Sequence, residues 1–155
     1  ERLSASGRWV PDVLSLAAAV ENSRKHQTYN TPALAGLVML DEQLGWLLEQ
    51  GGMPWAAART AETSGLVYDW AEDSEHARPF VADPAHRSPV VCTVDFDAAD
   101  AARVASVLRA NGVLDVEPYR KLGRNQLRIA TFASVPPEDV RALLRCIDWA
   151  VGELA

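Results

Sequence analysis

From residue 90 onward the apolar residues keep a fixed order of periods, and this order restricts the fold more than any other feature. Val90-Val91-Cys92-Thr93-Val94-Asp95-Phe96 is rich in β-branched residues and predicts a strand. Asp97 is placed to cap a helix, with Asp100 in its first turn. Val104, Val107 and Leu108 share one face of that helix, and Asn111-Gly112 closes it. Gln126 to Phe132 returns to period two, with Leu127, Ile129 and Thr131 alternating against Arg128 and Ala130. Pro136-Pro137-Glu138-Asp139 then opens a last helix, along which Val140, Leu143, Leu144, Ile147, Val151 and Leu154 hold helical spacing. A strand pair covered on one face by two helices is a small α/β sandwich.

The first third has a different character. Residues 1–11 are irregular, and Asp12 is placed to cap a helix carrying Val13, Leu16, Ala17 and Val20. That helix should fade near Ser23 to His26, and Gln27 to Thr31 reads as a loop. Residues 32–50 predict a long helix with a broad apolar face, ended by Gly51-Gly52 in a left-handed cap. Met53-Pro54-Trp55 restarts helical structure. Leu66 to Trp70 fits either a strand or a continued helix, since periodicity does not separate the two. Residues 72–89, broken by Pro79, Pro84 and Pro89, read as loop, and Val113 to Glu117 as a short strand. A domain boundary is expected between residues 50 and 65.

Charge narrows the function classes. The net charge is −6, and thirteen arginines but only two lysines, Lys25 and Lys121, carry the positive charge. An acidic chain lacks the basic face that nucleic-acid binding needs. Arginine spread through such a chain suits carboxylate or phosphate, because its planar fork binds two oxygens at once. No apolar run reaches the ~20 residues that span a bilayer, and no signal-peptide anatomy is visible, so a cytoplasmic protein is expected. Cys92 and Cys146 lie in apolar contexts and read as two buried thiols. His26, His76 and His86 lack ligand spacing, so no metal site is expected. The sequence opens on Glu1-Arg2-Leu3 without an initiator Met, as the middle of a longer chain would.

Two constellations could carry chemistry. In Thr28-Tyr29-Asn30-Thr31-Pro32, Thr31 has the chemistry of a helix cap and Pro32 suits a first turn. Either this is only a well-capped helix, or the Asn amide, the Thr hydroxyl and nearby backbone amides hold a phosphate. The second is Tyr119 to Arg128, where Arg120, Lys121, Arg124 and Arg128 fall within nine residues. It is either a solvated loop with one strand arginine or an anion site. Arg128, flanked by Leu127 and Ile129, favours the site, since a strand guanidinium among apolar neighbours needs a partner.

In this order and spacing, the two constellations resemble the C-terminal part of the phosphoserine aminotransferases, class V pyridoxal-phosphate enzymes. That family carries an Asn-Thr-Pro segment opening a long helix that ends in Gly-Gly, here Asn30-Thr31-Pro32 and Gly51-Gly52. It then has a basic stretch, an arginine-bearing strand and a Pro-initiated last helix, here Arg120 to Arg124, Leu127-Arg128-Ile129-Ala130 and Pro136-Pro137-Glu138-Asp139-Val140. The resemblance spans residues 28–152 and implies the C-terminal part of the type I PLP-dependent transferase fold. Residues 1–52 would be the tail of the large cofactor-binding domain, residues 53–155 the small α/β domain, and residues 54–73 mainly helix. It implies a homodimer with shared active sites. Asn30 and Thr31 match residues that reach the phosphate of pyridoxal 5'-phosphate in the neighbouring subunit. Arg128 matches the arginine that binds the substrate α-carboxylate, and one of Arg120, Lys121 or Arg124 would take the substrate phosphate.

The implied reaction moves the amino group of glutamate to 3-phosphohydroxypyruvate, giving phosphoserine and 2-oxoglutarate in serine biosynthesis. A longer phosphorylated homologue in pyridoxine synthesis is a second implied substrate. The family's Schiff-base lysine lies upstream of the matched region, and neither Lys25 nor Lys121 corresponds to it, so this chain alone should be inactive. Two rival readings fit the same residues. One is another class V aminotransferase of the alanine– or serine–glyoxylate type, which would share Arg128 without needing the upstream cations. The other is a non-catalytic α/β binding or dimerisation module.

Overall fold

A computed structural model describes residues 7, 9–119 and 121–154. The chain forms two compact units, Glu1–Trp46 and Leu47–Ala155. In the first unit a short 3-10 turn, Asp12–Leu14, precedes helix α1, Leu16–Arg24. Asp12 was expected to cap this helix, but it belongs to the 3-10 turn and accepts from the Tyr29 hydroxyl at 3.0 Å. The cap is Ser15, whose hydroxyl accepts from the Ala18 N–H at 3.2 Å. Helix α2 spans Leu34–Glu49 and so begins beyond Thr31 and Pro32. Ala33 precedes it directly, and its carbonyl takes the Leu37 N–H at 3.0 Å. Thr31 therefore does not sit at the cap position, and Pro32 is not in the first turn.

Helix α2 has no buried residue, and Leu34, Val38, Met39 and Leu48 are all more than half exposed. Its apolar residues cover a broad face, interrupted by Asp41, Glu42, Gln43 and Glu49, and a helix face of that kind belongs against other protein. The chain between α2 and the next helix turns through Gly51 and Gly52, at φ +118° and +68°, where a side chain is strained. At Gly51 a Cβ would also meet the Trp55 Cβ at 3.2 Å.

The second unit contains helix α3 (Gly52–Asp73), strand β1 (Ala77–Pro79), strand β2 (Val91–Phe96), helix α4 (Ala101–Ala110), strand β3 (Gln126–Ala130) and helix α5 (Pro137–Leu154). Leu66 to Trp70 is thus helical. The sheet is antiparallel with order β1-β2-β3. Strand β1 lies in a stretch expected to be loop. It pairs only with β2, so Pro79 stands at an edge where its missing N–H costs no ladder bond. Residues 113–117, expected as a strand, form none, although the Val116 carbonyl accepts from the Arg128 N–H at 2.9 Å.

Cross-strand pairs Cys92–Ile129 and Val94–Leu127 face the helices. Val67 and Ala71 of α3, Val104 and Leu108 of α4, and Val140 and Ile147 of α5 close this core. Helix α5 packs on both α3 and α4, and all three helices share the one core with the sheet. Asp97, expected to cap α4, is ion-paired with Arg78 instead. Asp100 is the cap, and its carboxylate accepts from Ala102 N–H at 2.9 Å and Arg103 N–H at 3.2 Å. Cys92 is buried as expected, but Cys146 is exposed on α5, and both thiols are free. Among the described residues no helix is long and apolar enough to cross a membrane.

Candidate functional site

Asn30 and Thr31 lie in the first unit, in a hollow of about 590 Å3 lined by Ser23, His26, Gln27, Thr28, Tyr29 and Pro32 besides themselves. The lining comes from the end of α1 and the following loop, not from the first turn of α2. The attraction of a helix start for anions therefore does not explain this site. What remains is the side-chain chemistry. The Thr28 hydroxyl donates to the Asn30 carbonyl at 2.5 Å and fixes the bend. The Asn30 amide and Thr31 hydroxyl are exposed, and no protein partner engages them among the described residues. Both can donate to an oxygen anion. No lysine lines the hollow, and the neighbouring Lys25 is held by Glu21 at 2.8 Å.

The basic segment belongs to the second unit. Arg120 lies outside the described residues. Lys121 sits in the turn closed by the Leu122 N–H bonding to the Tyr119 carbonyl at 3.0 Å, and it is exposed. Arg124 is turned back onto the sheet. Its Nη2 donates to Asp95 Oδ2 at 2.5 Å and its Nε to Asp95 Oδ1 at 3.3 Å, a two-pronged contact. Asn125 fastens the same stretch. Its amide donates to the Phe96 and Ala99 carbonyls at 2.9 and 2.7 Å, and its Oδ1 accepts from Ala101 N–H at 2.8 Å.

Arg128 stands on the outward face of β3, opposite Thr93 of β2. Its own N–H goes to Val116 and not to β2, so Thr93–Arg128 is a non-hydrogen-bonded pair, in which facing side chains come closest. Its side chain is exposed, not buried among apolar neighbours, so the argument from unpaired burial does not apply. Among the described residues no carboxylate pairs with it, or with Lys121. The structure therefore sorts the described cations of this segment into one neutralised within the fold and two open to a ligand. The Asn30–Thr31 corner and the basic segment fall in different units, and each stands by itself here.

Sequence reasoning missed Asp95 and Gln126. Asp95 is buried in the strand opposite Gln126, whose amide donates to Asp95 Oδ1 at 2.8 Å. Burial pushes the Asp95 carboxyl up, but the Arg124 guanidinium and the Gln126 amide, with Arg78 nearby, outweigh this and hold it below the usual carboxylate range. The signal was present in Val91-Cys92-Thr93-Val94-Asp95-Phe96, a carboxylate inside an otherwise β-forming run.

The Aminotransferase class-V family matches residues 4–115. A relative from Rhodococcus jostii (strain RHA1), named phosphoserine aminotransferase, is 62% identical over 150 residues. That alignment covers 96% of this chain and 40% of the relative, so the chain spans about two fifths of the length of such curated relatives. The solved phosphoserine aminotransferase from Bacillus circulans subsp. alkalophilus superposes with a TM-score of 0.82 at 25% identity, over 94% of this chain and 39% of that one. The PLP-bound phosphoserine aminotransferase from Trichomonas vaginalis shares the fold, with a TM-score of 0.74 at 20% identity over 90% of this chain and 39% of that one. The strand–helix–strand–helix order, the partial coverage and the family match agree, and the chain belongs to the class-V aminotransferase family.

Proposed function

We propose that this chain is the C-terminal portion of a phosphoserine aminotransferase, a cytoplasmic homodimer with shared active sites. The whole enzyme would transfer the amino group of glutamate to 3-phosphohydroxypyruvate in serine biosynthesis, with pyridoxine synthesis as a second role. Residues 1–52 would be the tail of the large domain and residues 53–155 the small domain. The relative named for this activity supports the reading. So does helix α2, whose exposed apolar surface is what a helix at the edge of a large domain would present to the rest of that domain.

The single observation that carries the reading is Arg128. It is an outward guanidinium without a carboxylate partner among the described residues, on a strand whose backbone is bonded on both sides, by β2 and by Val116. Such a group binds a carboxylate through two parallel N–H···O bonds and fixes its orientation. Lys121, or Arg120, would then meet the substrate phosphate as a charge.

The cofactor fits the residues in part. The free Asn30 amide and Thr31 hydroxyl suit the phosphate of pyridoxal 5'-phosphate in the neighbouring subunit, and no residue of the hollow suits its aldehyde. When bound, the cofactor supplies the electron sink for amino transfer. Catalysis through a Schiff-base lysine would belong to the upstream part of the enzyme. The function is tested by the selectivity of the full-length enzyme for phosphorylated over unphosphorylated keto acid. A strong preference is expected, and equal rates would point to the glyoxylate-type reading.

Because Thr31 is exposed and does not cap α2, Thr31→Ala should change stability by no more than about 0.5 kcal/mol. It should nonetheless speed loss of the cofactor on dialysis. Retention equal to wild type would remove Thr31 from the phosphate site.

A further inference from the structure

The outward face of the sheet carries a second polar cluster, beside Arg128, to which the proposed reaction assigns no task. Asp95, Arg124 and Gln126 meet there. The Asp95 side chain is only 6% exposed, whereas Arg124 lies over it at 44%. The Arg124 guanidinium also stacks 4.8 Å from the centre of the Phe80 ring. Gln126 faces Asp95 directly across the strands, and Arg128 follows Gln126 by two residues, on the same face.

This placement answers a question of register. A slip of β3 by one residue would turn Leu127 and Ile129 outward, and burial of these side chains opposes it. A slip by two residues keeps the same face inward and puts one aliphatic side chain in the place of the other, with Asn125 or Thr131 taking the vacated position. The apolar pattern therefore resists that slip less than a slip by one. Yet it would carry Arg128 about 7 Å along the strand, two residue rises. The Asp95–Gln126 bond exists only in the observed pairing, and the Arg124 fork ties the approach to β3 to the same carboxylate. Polar partners inside a fold are best attested as devices of this kind.

We propose that Asp95, Arg124 and Gln126 form a positioning lock for Arg128. On this proposal Arg124 is the internal counter-ion of Asp95 and not a ligand of the substrate phosphate. The inference rests on the reading of Arg128 as the carboxylate site. It separates Arg124 from Lys121, which composition alone leaves equivalent. Arg124, Asp95 and Gln126 are positioning residues, because they act through Arg128.

The test uses the full-length, PLP-loaded enzyme carrying Arg124→Gln. The Michaelis constants for glutamate and for 3-phosphohydroxypyruvate should rise by the same factor, between about fivefold and a hundredfold, because a displaced orienting group weakens every carboxylate it holds. The turnover number should move less. Asp95→Asn preserves shape and should act in the same direction, so it carries the test if Arg124→Gln fails to fold. A rise confined to the phosphorylated substrate would make Arg124 a phosphate ligand and overturn the proposal. Unchanged Michaelis constants with a lowered melting temperature would reduce the cluster to a structural role, which also overturns it. The wild-type selectivity measured in the same assay reports separately on the proposed function. An enzyme without preference for the phosphorylated acid would defeat that function, while the glutamate constant would still decide the lock.

Discussion

Arg128→Ala in the full-length enzyme is expected to raise the Michaelis constants for both glutamate and the phosphorylated keto acid by about 10- to 100-fold. A hydrogen bond to a charged group contributes about 1.5–3 kcal/mol, and each 1.4 kcal/mol corresponds to about tenfold in affinity. Both substrates should suffer, because the α-carboxylate is the one group that they share. Arg128→Lys should recover only part of the loss, since an ammonium keeps the charge without the planar fork. Stability should hardly change, within about 0.5 kcal/mol, because the side chain is exposed and has no carboxylate partner among the described residues. Normal Michaelis constants for both substrates in Arg128→Ala would show that this arginine is only a surface residue.

The same position shows what the sequence could and could not reveal. Alternation around Arg128 placed Leu127 and Ile129 on one face, and both are buried. It could not show that the opposite face, closed at Gln126, is open at Arg128, and the expectation of a buried arginine failed there. Strand β1 escaped notice because Ala77-Arg78-Pro79 has no strand pattern of its own and is held by its neighbour β2.

Caps were the least legible feature. Asp12 and Ser15, and Asp97 and Asp100, offer the same chemistry within one turn of each other. Only the path of the chain decides which of them meets free amides, and in both helices it is the later residue. Thr31 failed similarly, because α2 starts after Ala33. The candidate site was legible as two groups of residues. Its sorting was not, since Arg124 and Lys121 look alike until buried Asp95 claims one of them.

The largest stability effect is expected one residue away from the proposed substrate arginine. Leu127 is fully buried, lies opposite Val94, and is among the largest side chains of the core. Leu127→Ala removes three heavy atoms from packing at crystal-like density, and the helices can close on the gap only in part. The expected cost is about 2–5 kcal/mol, which for a domain of this size lowers the melting temperature by roughly 10–20 °C. Leu127→Met, which nearly preserves volume, should cost less than about 1.5 kcal/mol. Urea unfolding followed by circular dichroism measures both. A loss below about 1 kcal/mol for the alanine variant would mean that β3 does not bury this face, whereas core truncations of leucine usually exceed it. In that case Arg128 would not face outward either, because adjacent residues on a strand point to opposite sides. The two variants therefore test one geometry through separate readouts: Leu127 through stability with substrate affinity per folded molecule retained, and Arg128 through affinity with stability retained.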